Sequence, residues 1–113
     1  MDSITPLLLM KALDGLSLRA EVTAANIANA GTAGYRPQRV TFEDALIQAA
    51  AKGPGAVQAV AARIDRPADV AGAGLRLDLE LATAATTTTR YSALAELLNR
   101  RLQIQALAVS GGR

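Results

Sequence analysis

Leu9, Leu13, Leu16, Ala20, Thr23, Ile27 and Ala30 follow one another at alternating steps of four and three residues. A helix lines such positions up along one stripe, and a heptad stripe of this length asks for a partner along its whole length. The punctuation agrees. Thr5 is suited to an N-cap and Pro6 to the first helical position, where its missing N–H costs nothing. Gly31 is a stop signal. The expected helix covers 5–30, with Gly15 as its weak spot at about 1 kcal/mol relative to alanine. A second stripe, Tyr91, Leu94, Ala95, Leu98, Leu102, Gln105 and Val109, is widened by Leu97, Ile104 and Leu107 and stops at Gly111-Gly112. It predicts a helix over 78–110, with Asp78 as its N-cap. The expected fold is therefore mainly α. Long N- and C-terminal helices pair as a coiled-coil-like hairpin around a short, loop-rich middle, all in one domain over 1–113.

The middle, 31–77, holds a loop, a short helix and a variable part. Gly31, Gly34 and Pro37 mark the loop. Thr41 with Asp44 three residues on has the form of a capping box. It opens a helix over 42–51 with Phe42, Ala45, Leu46 and Ala49 on one face, closed by Lys52-Gly53-Pro54-Gly55. Residues 56–64 read equally as a helical turn or a strand. Residues 66–74, with Pro67, Gly72 and Gly74, read as loop. Leu75, Leu77, Leu79 and Leu81 alternate with polar residues, a strand pattern taken alone. The run Thr86-Thr87-Thr88-Thr89 is poor helix material.

Composition narrows the chemistry. Half of the residues are apolar but only 3% are aromatic, which suits closely packed helices better than a thick core. The chain has no cysteine and no histidine, so disulfides, thiolate or imidazole catalysis and the common zinc sites are excluded. No serine has a histidine base. The acids are dispersed, and Glu43-Asp44 reads as first-turn charge matched to the helix dipole. No catalytic residue, metal site, cofactor or small-molecule substrate is expected. Twelve basic residues against ten acids give a net charge of +2, but they form no basic face interleaved with aromatics, so nucleic acid is not an expected partner. No stretch reaches the ~18 apolar residues of a membrane span. The start, with Asp2 and a short apolar run ending at Lys11, is not a secretory signal.

Ala24-Ala25-Asn26-Ile27-Ala28-Asn29-Ala30 places two mediocre helix formers three apart at a helix end. Their amides suit bonding across to a neighbour or to the next loop. C-capping by Asn29 with fraying is the simpler account, and the sequence alone does not separate the two.

The longer segment Val22 to Arg36 resembles the N-terminal signature of bacterial flagellar rod and hook proteins, V-x-A-N-N-I-A-N-A-x-T-P-G-Y-K/R. Asn26, Ile27, Ala28, Asn29, Thr32, Gly34 and Tyr35 match it, while Ala25 and Ala33 replace an asparagine and a proline. Arg90-Tyr91, Ala93-Leu94, Leu98-Asn99-Arg100-Arg101 and the ending Ser110-Gly111-Gly112-Arg113 are similar to the FlgB (proximal rod) family, as is Asp78-Leu79-Glu80. That family usually has about two more residues before the tyrosine. The resemblance covers about 5–48 and 76–113.

It implies a structural subunit of the basal-body rod, whose terminal helices pack into a helical tube that transmits torque across the periplasm. It implies partners: further copies of itself, other rod proteins, the flagellar type III export apparatus and the membrane ring. It also implies export without a cleaved signal peptide. On this reading Leu9, Leu13, Leu16, Ile27, Tyr91, Leu94, Leu98 and Leu102 make assembly contacts. Asn26, Asn29, Thr32, Gly34 and Tyr35 fix the helix-to-loop junction. Another rod protein of FlgC type is the near alternative. A soluble helical adaptor that binds one partner helix is the alternative of a different class. An amphipathic membrane-surface protein would need a basic face rimmed by aromatics, which the long helices lack.

Overall fold

Two long helices account for most of the chain. A computed structural model describes residues 4–67 and 75–111. Gly72, Gly74 and the ending Gly112-Arg113 lie outside the described residues. In chain order the elements are α1 (Ile4–Ala28), β1 (Arg39–Thr41), α2 (Glu43–Lys52), α3 (Pro54–Ala59), β2 (Arg63–Asp65) and α4 (Leu77–Gly111). At 25 and 35 residues, α1 and α4 are about 37 and 52 Å long. They lie against each other as an antiparallel hairpin, as the two stripes predict. The middle elements pack on one flank of α1. Among the described residues no helix is long and apolar enough to cross a membrane.

Of the heptad stripe, α1 buries Leu9, Leu16 and Thr23 and half-buries Leu13 and Ile27; Ala20 is exposed, and Ala30 lies beyond the helix end and is also exposed. Gly15, Val22 and Asn26 are buried beside it. The reason is that α1 is covered from two sides, by α4 and by the β1–α2–α3 unit, so its buried face is broader than one seam and turned away from Ala20.

Gly15 is a point of closest approach rather than a weak spot. A Cβ there would lie 2.5 Å from Cδ1 of Phe42, so the ring sits directly on the helix backbone. One turn further along, Arg19 stacks over the same ring at 4.9 Å. Its guanidinium donates to both carboxylate oxygens of Glu43 (2.6 and 2.7 Å) and to the carbonyl of Val40 (2.8 Å). Gly15, Arg19 and Phe42 thus fasten β1 and the start of α2 to α1. Lys11 adds a bond from Nζ to the Val60 carbonyl at 3.0 Å. The core beneath is small: Leu16, Val22, Val40, Phe42, Leu46, Ala49 and Val57.

Several local expectations are corrected. Thr41 is not a helix cap. It ends β1, opposite Arg63 in an antiparallel pair with β2, and its hydroxyl reaches Asp65 Oδ2 at 3.4 Å. Phe42 takes the cap position, and its side chain is buried under α1, so α2 opens on packing rather than on a capping hydrogen bond. Ala45 faces solvent, leaving Leu46 and Ala49 as the buried face of α2. The undecided stretch 56–64 supplies both structures, the end of α3 and the start of β2. Gly53 (φ 115°) makes the break before α3, with Pro54 at that helix's first position.

Leu77, Leu79 and Leu81 are helical, not strand, and are about half exposed. Their alternation with Asp78, Glu80 and Ala82 does not describe two sheet faces; it leaves apolar surface on the outer side of the first turns of α4. Asp78 lies inside that first turn, turned back on Arg76 (2.8 Å), rather than capping it. The threonine run is helical because packing overrides propensity. Thr87 is buried, and Thr88 and Thr89 bond back to the carbonyls of Ala84 and Ala85.

Two outcomes follow from the Gly15–Phe42–Arg19 fastening. Gly15→Ala gains up to about 1 kcal/mol of helix propensity, but overpacking against the ring costs about 1–3 kcal/mol. Urea unfolding should therefore show a net loss. Glu43 titrates below the ordinary glutamate value, chiefly through its hydrogen bonds from Arg19, against an opposing effect of partial burial. A depressed folded-state value means this stability is fully present above the unfolded value of about 4.3 and is lost as pH falls through the lower folded value. Glu43→Gln should cost less than about 1 kcal/mol at neutral pH, since the pair is partly solvent-screened. It should also flatten the acid limb of a melting-temperature-versus-pH curve.

Candidate functional site: the helix-to-loop junction and the helical faces

Asn26, in the last turns of α1, is fully buried. An amide offers two donors and two acceptor positions, and here all are used. Nδ2 donates to the Gln38 carbonyl at 2.9 Å and to Glu80 Oε2 at 3.0 Å. Oδ1 accepts from the Tyr35 hydroxyl at 2.9 Å and from the Gln38 N–H at 3.0 Å. The pair of bonds to Gln38 copies what a neighbouring strand would make. It satisfies the backbone just before β1 and holds the returning loop against α1.

Glu80 comes from the first turn of α4 and is only 2% exposed. A buried carboxylate is tolerated where it is paired and hydrogen-bonded. Its second oxygen is 2.6 Å from Nη1 of Arg39, which stays half-exposed. The junction therefore draws together the end of α1, the loop, β1 and the start of α4.

The other signature residues shape the turn. Asn29 Nδ2 donates to the Ala25 carbonyl at 2.9 Å, and its Oδ1 accepts from the Thr32 hydroxyl at 3.2 Å. Backbone bonds from Thr32 N–H to Asn29 C=O and from Tyr35 N–H to Thr32 C=O carry the chain round. Gly34 has φ 76° with open space around its Cα, so the left-handed backbone, not crowding, calls for glycine there. That reversal returns Tyr35 to Asn26. The two asparagines thus divide the roles that the sequence left open: Asn26 bonds across to the loop and to α4, while Asn29 caps its own helix.

The apolar positions divide too. Leu9 and Leu16 are buried within the subunit; Leu13, Ile27, Leu94 and Leu98 are half-buried; Tyr91 and Leu102 are exposed. From Asn26 opposite Glu80, each step toward the start of α1 is a step toward the far end of α4. The longer helix therefore outruns the shorter one. Residues 102–111 are all exposed, including Ile104 (65%), Leu107 (71%) and Val109 (68%). Beside the core, α1, α2 and α4 leave an open, almost wholly apolar groove of about 520 Å³, lined by Leu8, Ala12, Leu16, Ile47 and Leu94 among others.

Sequence reading missed Gln38, Arg39 and Glu80. An isolated glutamate in an apparently alternating segment carries no signal of burial, because its partners are 54 and 41 residues away in sequence. Among the described residues there is no cluster of acids suited to a metal ion.

Asn26→Ala removes four hydrogen bonds and leaves Glu80 buried with Arg39 alone. At about 1 kcal/mol per bond, a loss of about 2–4 kcal/mol is expected in denaturant unfolding. Asn29→Ala, at a half-exposed turn, should cost about 1 kcal/mol or less. Equal losses would remove Asn26 from its central place.

Residues 8–36 match the family described as flagella basal body rod protein. No curated protein matches the chain. The matched stretch is most of α1 and the turn through Tyr35, so it contains Asn26, Asn29, Thr32 and Gly34 and ends just before β1. This supports a rod-protein family for the chain, one whose members are structural rather than enzymatic and sit in the flagellar basal body.

Proposed function

We propose that this chain is a structural subunit of the flagellar basal-body rod, of the proximal, FlgB-like kind, assembling through its two long helices into the helical tube between the export apparatus and the distal rod. The observation that carries this reading is where the family match falls. It covers most of α1, with its buried asparagine, and the turn that follows, in a hairpin with exposed apolar faces. The partners of such a subunit are further copies of the chain, other rod proteins, the type III export apparatus and the membrane ring. Its place is the periplasmic rod, reached without cleavage of a signal peptide. A FlgC-like position uses the same surfaces.

The apolar groove between α1, α2 and α4 favours one competing reading, an adaptor that receives a partner's helix. Sedimentation separates the two, since a rod subunit forms open-ended, concentration-dependent assemblies and an adaptor a discrete complex.

Deleting the gene should abolish rod, hook and filament in basal bodies viewed by electron microscopy, with motility restored by the wild-type gene. Leu102→Asp, at an exposed position, should keep the melting temperature within a few degrees but fail to restore motility. Normal basal bodies in the deletion strain would remove the rod assignment.

A further inference from the structure

The groove and the protruding end of α4 are two unpartnered apolar surfaces on one molecule. We propose that they are the two halves of one contact: residues 102–111 of one copy, led by Ile104 and Leu107, lie in the groove of the next copy, against Leu8, Ala12, Ile47 and Leu94. This rests on the reading of the chain as a polymer subunit and names the surfaces that the polymer uses.

Length is the first argument. The groove follows α1 from Leu8 to Leu16, about 12 Å of helix. The protruding segment, ten residues of continuous helix, is about 15 Å long. Ile104 and Leu107 stand three residues apart on one face, the spacing with which a helix anchors in a groove.

Charge is the second. Residues 102–111 carry no charged side chain. The groove walls are apolar; of the two charged residues at its rim, Glu43 is held by Arg19 and Arg90 is exposed. An uncharged helix fits these walls, whereas a basic segment would meet only the occupied Glu43.

The third is that the segment cannot fill its own groove. α4 is one unbroken helix from Leu77 to Gly111, and it already lines the groove with Ala93 and Leu94. The segment therefore points away along the axis. The contact must be between molecules, and because the two surfaces differ it is head-to-tail, the kind that propagates when it does not close into a ring.

The absence of cysteine makes the test direct. Ile47 and Leu107 are 68% and 71% exposed, so Ile47→Cys and Leu107→Cys leave the fold intact. Under mild oxidation the double variant should give a ladder of covalent multimers, and a mixture of the two single variants should stop at dimers. Leu107→Asp should raise the concentration needed for sedimentable assembly by about tenfold or more. Self-linkage of Leu107→Cys as efficient as its linkage to Ile47→Cys would mean a symmetric contact and overturn the pairing. So would a chain that stays monomeric, or one that assembles without the ladder. The rod reading is judged separately, by basal bodies in the deletion strain. A missing ladder with missing rods sinks this pairing alone, and a ladder with normal rods sinks the rod reading alone.

Discussion

The Asn26 side chain meeting Glu80 is the contact on which the arrangement of the two long helices depends. Apolar stripes alone specify register weakly, because a seam that repeats every seven residues offers similar apolar layers to a partner shifted along it. A buried carboxylate is not interchangeable. Moved one turn away from the Asn26 amide and the Arg39 guanidinium, Glu80 would be a desolvated charge with no partner, at a cost of several kcal/mol. One register is thereby selected at the end where the loop returns. This is the role best attested for buried polar groups: to specify an arrangement rather than to add stability.

The second fastening works by shape. Phe42, the chain's one phenylalanine, sits against the bare backbone at Gly15 and beneath Arg19. It draws β1 and α2 onto one flank of α1. The opposite result would follow from a larger residue at position 15: the ring would be pushed out, and with it the strand pair and the start of α2. Because the middle is fastened to one flank, it covers only part of the hairpin. The groove beside it and the outer faces of α4 are consequences of that one-sidedness, not defects of a poor core.

What the sequence disclosed follows from how locally each feature is encoded. Both long helices and their pairing were legible because seven-residue spacing is a local signal repeated many times. The turn was legible through Asn26, Asn29, Thr32, Gly34 and Tyr35 because a motif was legible, though not which asparagine reached which partner. The half-exposed leucines at 77, 79 and 81 misled because a short apolar alternation has the same appearance on a strand and on a helix exposed to solvent. Thr41 misled because a capping pattern competes with strand pairing to a segment 22 residues later. Glu80 and Gly15 were opaque for a common reason. Each acquires its meaning from residues far along the chain, Asn26 and Arg39 for Glu80 and Phe42 for Gly15, and a single sequence records no such pairing.

The division between buried polar junction and exposed apolar faces bears on how a subunit of this kind assembles. If the exposed leucines of α4 were free to choose a register within the monomer, they would be covered internally and lost to neighbours. Glu80 prevents this at one end by fixing where α4 starts relative to α1. The difference in helix length, 35 residues against 25, then forces the other end into solvent. The unpaired segment is thus determined by a contact at the far end of the same helix. A change at Asn26 or Glu80 would act on assembly without touching any surface that meets a neighbour, by letting the helices slip and withdrawing the apolar end that the register keeps exposed.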